Sequence, residues 1–200
     1  MWKKLAIFLL VLLLLAGGVV VYLWLQVTAL PDWYTELAAE SAAVPVEGPD
    51  GKLQWLPAPE HEGRKELRNF HRKAARSAPE VKEVIKASRA TFEDGKLEAG
   101  VVADLRKLPT QKMSGDQQGL FERARQAFPS LTERDVYIGV EDPSPVLKNG
   151  KIGVGPSAKV KIGKFTYSLD GAAEKLGMTP DKLRAELEKH MRDLGVEAPD

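Results

Sequence analysis

Cysteine is absent from the 200 residues, which excludes a disulfide framework, a zinc ribbon and a thiol nucleophile. Histidine is scarce: His61, His71 and His190 are all the chain offers for proton transfer near neutral pH. Neither sign of charge dominates, with 29 Lys and Arg against 28 Asp and Glu and a net charge of +1. That balance excludes a strongly basic nucleic-acid binder and a highly charged disordered chain. Catalytic signatures are missing too. The chain has no G-x-S-x-G elbow, no H-E-x-x-H, no P-loop and no S-x-x-K.

Two weaker patterns dissolve on closer reading. Gly150, Gly153 and Gly155 fall in the spacing G-x-x-G-x-G, without the helix that would receive a pyrophosphate, so they read as a glycine-rich strand turn. Glu60, His61 and His71 are the only residues that invite a metal site. The two histidines lie ten apart, not the three or four that put two ligands on one helix face, and they read as surface residues. The sequence therefore predicts no catalytic residue, no metal and no cofactor.

What is present is concentrated at the start. From Leu5 to Leu25 no residue is charged, and a helix of that length spans about 30 Å, the thickness of a bilayer's hydrocarbon core. A cleaved signal peptide has a shorter apolar core and a small-x-small site. Ala16-Gly17-Gly18 imitates such a site, but Val19 to Leu25 continues the run, so an uncleaved signal anchor is expected. Lys3 and Lys4 precede the run and no Lys or Arg follows until Lys52. The positive-inside rule then places the N-terminus in the cytoplasm and everything after Gln26 outside. Residues 1–25 are thus a tail and transmembrane anchor.

Residues 26–59 read as a Pro/Ala-rich spacer, with prolines at 31, 45, 49, 57 and 59 that argue against helix and strand. Trp55 is the exception, a large aromatic suited to docking the spacer's end. Residues 60–200 read as one extracytoplasmic α+β domain. A helix is expected over Glu62–Ser77, from the spacing of Leu67, Phe70 and Ala74. Asp94-Gly95 predicts a hairpin that sets Phe92 opposite Leu97, Ala90 opposite Ala99 and Ser88 opposite Val101. Ser114 with Gln117 predicts a capped helix. Alternation predicts a strand at 135–140 and a second hairpin from Ala158 to Leu169 turning at Gly163-Lys164. Two helices follow, at 171–176 and 180–194, the second capped by Thr179 with Pro180 at its first turn. The sum is an antiparallel sheet of about five strands with helices on one face.

One electrostatic feature stands out. Between Ser144 and Leu169 there are five lysines (Lys148, Lys151, Lys159, Lys161, Lys164) and no acidic residue. Alternation sends Lys159 and Lys161 to the non-core face, which makes the five candidates for an anion or protein partner. The competing reading is a solvated outer face or a charged edge strand. The turn at Ala172–Pro180 resembles a helix-turn-helix, but Ala172 to Gly195 holds five basic and five acidic residues, so no nucleic-acid partner is expected.

Leu30-Pro31-Asp32-Trp33-Tyr34 after the anchor, Asp94-Gly95-Lys96-Leu97 with Gly100-Val101-Val102, and Arg134-Asp135-Val136-Tyr137-Ile138-Gly139 carry a resemblance. The layout resembles a group of bacterial signal-anchored envelope proteins with a small extracytoplasmic α+β domain. That resemblance implies location and fold, not an activity. The functional expectation is a non-enzymatic, membrane-tethered module binding a protein partner or an anionic envelope component. The alternatives are a lipid-binding or lipid-carrier domain, whose hairpins would flank an apolar cavity, and more remotely an envelope hydrolase.

Overall fold

The computed structural model describes residues 29–39, 47–58, 61–77, 83–148 and 150–199. The apolar run Leu5–Leu25 lies outside them, and among the described residues no helix is long and apolar enough to cross a membrane. The chain runs through α1 (Trp33–Ala39), β1 (Leu56–Pro57), β2 (Lys65–Arg68), α2 (His71–Ser77), β3 (Ile85–Glu93) and β4 (Lys96–Ala103). It continues through α3 (Gly115–Ala127), β5 (Val136–Asp142), β6 (Val146–Lys148), β7 (Lys151–Gly153), β8 (Lys159–Ile162), β9 (Phe165–Ser168), α4 (Leu169–Lys175) and α5 (Pro180–Asp193). The fold is α+β.

Seven strands form one antiparallel sheet in the order β1-β2-β3-β4-β5-β8-β9, and β6 with β7 makes a separate two-stranded ribbon. The β3–β4 hairpin has the expected register, with Phe92 opposite Leu97, Ala90 opposite Ala99 and Ser88 opposite Val101. Asp94 and Gly95 both take positive φ, 50° and 75°, as a type I′ turn requires. The second hairpin also pairs as the alternation predicts, Val160 with Tyr167 and Ile162 with Phe165. Ser114 and Gln117 close both halves of the capping box on α3, and Thr179 caps α5.

The core lies on one face of the sheet, in two adjoining clusters. Leu67, Phe70, Ala90, Leu97, Ala99 and Val140 pack against Ile152 and Val154 of the ribbon strand and its exit and against Met191 and Val196. Val136, Val160 and Ile162 pack against Phe128, Leu131 and Leu169, Ala172, Ala173, Leu183. Leu187 of α5 touches both. The buried carboxylate of Asp142 accepts hydrogen bonds from the Ser144 and Gly155 amides at 3.0 and 2.6 Å, closing the loop that carries the ribbon.

Four expectations are corrected. Among the described residues the sheet has seven strands rather than about five. Residues 65–68, expected within a helix, form β2; Leu67 faces the core opposite Ala90, and only His71–Ser77 is helical. Residues 26–59, read as lacking regular structure, contain α1, a bridge between Glu47 and Leu53, and β1. Finally, helices do not lie on one face alone, because α1 packs on the face opposite the core: its Trp33 meets Tyr137, a polar-face residue, and Leu37 is buried. Trp55 docks as expected, donating from its indole to the Glu197 carbonyl at 3.0 Å and meeting Phe92 edge-on.

Both sheet edges stop short. β1 has two residues and ends on Pro57, which has no amide hydrogen to offer. β9 has four, and its last residue, Ser168, already caps α4 by accepting from the Gly171 amide at 3.1 Å.

Candidate functional site

Alternation along the strands puts Arg89, Glu98, Gly100, Tyr137, Gly139, Glu141, Lys161 and Thr166 on the face away from the core. Gly100 and Gly139 are direct cross-strand partners, and together they leave a flat patch of bare backbone. The Tyr137 ring occupies it. A methyl group on Gly139 would stand 2.5 Å from the Tyr137 hydroxyl, and one on Gly100 would overlap the ring. Trp33 of α1 then meets Tyr137 at near right angles. Tyr34 adds a second tie, its hydroxyl donating to Asp135 at 3.4 Å. The start of α1 is therefore seated on the sheet by an aromatic contact that two missing side chains make room for.

Around this aromatic centre the charges are paired. The Lys161 ammonium donates to Glu98 at 3.0 Å and lies 3.0 Å from the Glu141 carboxylate. The Tyr137 hydroxyl donates to the same Glu98 oxygen at 3.3 Å. Burial pulls the Lys161 pKa down, but the Glu141 and Glu98 carboxylates outweigh it and hold the group above its ordinary value. Lys161 in turn holds Glu141 below the usual carboxylate range. Burial, followed by the Glu98 charge, raises the Tyr137 phenol well above its usual range. On the neighbouring strands Glu66, only 2% exposed, lies between Arg68 at 2.6 Å and Arg89 at 3.1 Å.

Two concavities flank Trp33. One of about 240 Å³ lies toward the Asp94-Gly95 turn and is bounded by Arg64, Arg89, Glu93 and Glu98. The other, about 650 Å³ and more open, lies between Ala29–Trp33 and the β8–β9 turn, with Lys161, Lys164 and Thr166 along it. Trp33, Arg89, Glu98, Tyr137 and Glu141 border both.

The structure separates the five lysines. Lys159 and Lys161 share the polar face with Thr166 and Ser168, and Lys164 projects from the adjoining turn. Lys148 and Lys151 are paired with each other on the β6–β7 ribbon, which packs on the core side near α5. Lys161 is committed to two carboxylates, while Lys159 and Lys164 are exposed. A count along the chain could not distinguish these situations, because Glu98 and Glu141 come from other strands.

The sequence reading also missed a buried polar pair. His71, expected at the surface, is buried; its amide donates to the Ser88 hydroxyl at 3.0 Å, and its Nδ1 lies 2.8 Å from the same oxygen. Burial, helped by the Arg72 charge, pushes the His71 imidazole down to about 4. Ser88 is fully enclosed, so the pair staples the start of α2 to β3 and offers no path to a substrate. The one available signal was the alternation of Ser88 with Ala90 on an otherwise apolar face. Among the described residues no group of three His, Asp or Glu side chains is placed to hold a metal ion.

These features define an α+β domain with an antiparallel seven-stranded sheet, a packed core on one face and a helical strap on the other. No family model, curated protein or solved structure matches the chain.

Proposed function

We propose that this chain is a single-pass protein of the bacterial cytoplasmic membrane whose domain, held outside, binds a protein partner or an anionic envelope component without catalysing a reaction. The apolar run Leu5–Leu25 and the lysines on its N-terminal side support the anchor and its direction. One observation carries the binding role. The open concavity between the strap and the β8–β9 turn is bordered by Lys164, which is exposed and has no ion pair among the described residues, while Lys161 beside it is shared between Glu98 and Glu141 and Asp32 of the strap lines the concavity too.

Catalysis has little to work with on this face. Glu141 is held ionised by its lysine, the reverse of a general acid poised for neutral pH. The apolar hairpin faces that a lipid carrier would need as cavity walls are instead packed against Phe70, Met191, Leu169 and Ala173.

The test uses the full chain in detergent micelles and washed cell-envelope fragments, at low and moderate salt. Wild type is expected to be retained, less so at the higher salt, and Lys159→Glu/Lys164→Glu to be retained poorly. Equal retention of both overturns the binding role. A tag after Asp200 should be digested by external protease in intact spheroplasts; protection there overturns the location.

A further inference from the structure

The membrane anchor proposed above ends at Leu25, and the strap is already on the domain at Ala29. Four residue steps, fully extended, cover at most about 14 Å. The head-group layer of one leaflet is itself roughly 5–7 Å deep. A domain tied this closely has no freedom to stand away from the bilayer, and the end that carries Ala29–Tyr34 must come first.

The sheet register says which end that is. Ala29–Trp33 border the concavity with Gly163 and Lys164, and Tyr34 reaches Asp135, the residue before β5. The Gly163 amide donates to the Tyr137 carbonyl at 2.9 Å, which fixes the β8–β9 turn at the same end. The Asp94-Gly95 turn lies at the other end, since Leu97 pairs with Asp142 and Ala103 with Val136. The length of β5, about 20 Å, separates the two.

We propose that the β8–β9 turn, led by Lys164, rests on the phosphate-bearing head groups of the protein's own bilayer. The Asp94-Gly95 turn then faces away. Lys164 is suited to that position: it is exposed, and its flexible aliphatic stem lets the ammonium reach phosphates at different depths. Of the carboxylates bordering the same concavity, Glu98 and Glu141 share Lys161, which offsets part of their charge, and Asp32 lies on the strap. This inference rests on the anchor reading and names the anionic component for one end of the domain.

The absence of cysteine makes every introduced thiol a unique reporter. The full chain, carrying a fluorophore at Thr166→Cys or at Asp94→Cys, is reconstituted in phosphatidylcholine–phosphatidylglycerol vesicles with a nitroxide on the lipid head group. Severalfold stronger quenching is expected at position 166 than at 94, reduced by Lys164→Glu. Insertion of ten Gly/Ser residues after Thr28, which adds roughly 17 Å of reach, should bring the two signals together. Equal quenching in vesicles that float with the protein overturns the lipid contact alone. Quenching at 166 that Lys164→Glu leaves unchanged overturns the role of the lysine. Protein that fails to float with lipid overturns the anchor reading as well.

Discussion

Trp33 and Tyr137, 104 positions apart in sequence, meet edge to face with ring centroids 5.9 Å apart. The contact joins the first helix to the middle of the sheet, so the strap's stability should depend on it. Trp33→Ala is expected to cost roughly 1–3 kcal/mol, combining lost apolar burial with the aromatic pair. Urea unfolding measures the loss. Limited proteolysis should also cut within residues 29–39 earlier than in wild type, and an unchanged cleavage pattern would show that the helix is held by something else.

The bare patch beneath Tyr137 gives a sharper test. Gly139→Ala places a methyl group against the phenol oxygen and should destabilise by roughly 1–3 kcal/mol through overpacking. Tyr137→Phe removes that oxygen. In the double variant the two effects should therefore fall short of additive, which a thermodynamic cycle reads directly. Additive losses would mean that the ring and the glycine do not share space.

Lys161 separates two carboxylates. Lys161→Met should cost up to roughly 1 kcal/mol at pH 7, because the half-exposed Glu98 and Glu141 then lack their counter-charge and water screens part of the loss. Glu141 is depressed in the folded protein, so its contribution is present above its ordinary value of 4.5 and fades as pH falls through its folded one. The gap between wild type and variant should accordingly narrow toward pH 4, and Glu98→Gln should restore part of the loss at pH 7.

His71 predicts a different pH window. Its imidazole titrates at 6.5 when unfolded and at about 4 when folded. Between those values the unfolded chain binds a proton that the folded protein refuses, so stability falls as pH drops from 6.5 toward 4, by at most roughly 3 kcal/mol. His71→Gln should flatten that slope in urea midpoints taken across the window. A slope unaffected by the substitution would assign it to other groups.

How far the fold could be read depended on what each residue faces. Both hairpins were legible because period-two alternation and the Asp94-Gly95 and Gly163-Lys164 turns are local signals, and their registers are reproduced pair by pair. β2 was not. Leu67, Phe70 and Ala74 fit a helical stripe, and the strand's alternation is hidden because Glu66 is buried against arginines rather than among apolar neighbours. α1 was obscured by the prolines around it, although Trp33 and Leu37 stand one helical turn apart. The polar face was legible only as a list of lysines. Its organisation depends on pairings between strands 20 to 63 positions apart, such as Lys161 with Glu98, that no window along the chain contains.

The abrupt sheet margins matter when copies of the protein are crowded together. A neighbour seeking to extend the sheet finds at one border two residues closed by an imino acid, and at the other a four-residue ribbon that bends at once into a helix. Among the described residues neither offers a run of free amides long enough to template fibril growth. High local density should therefore leave the molecules as separate bodies instead of zipping them into filaments.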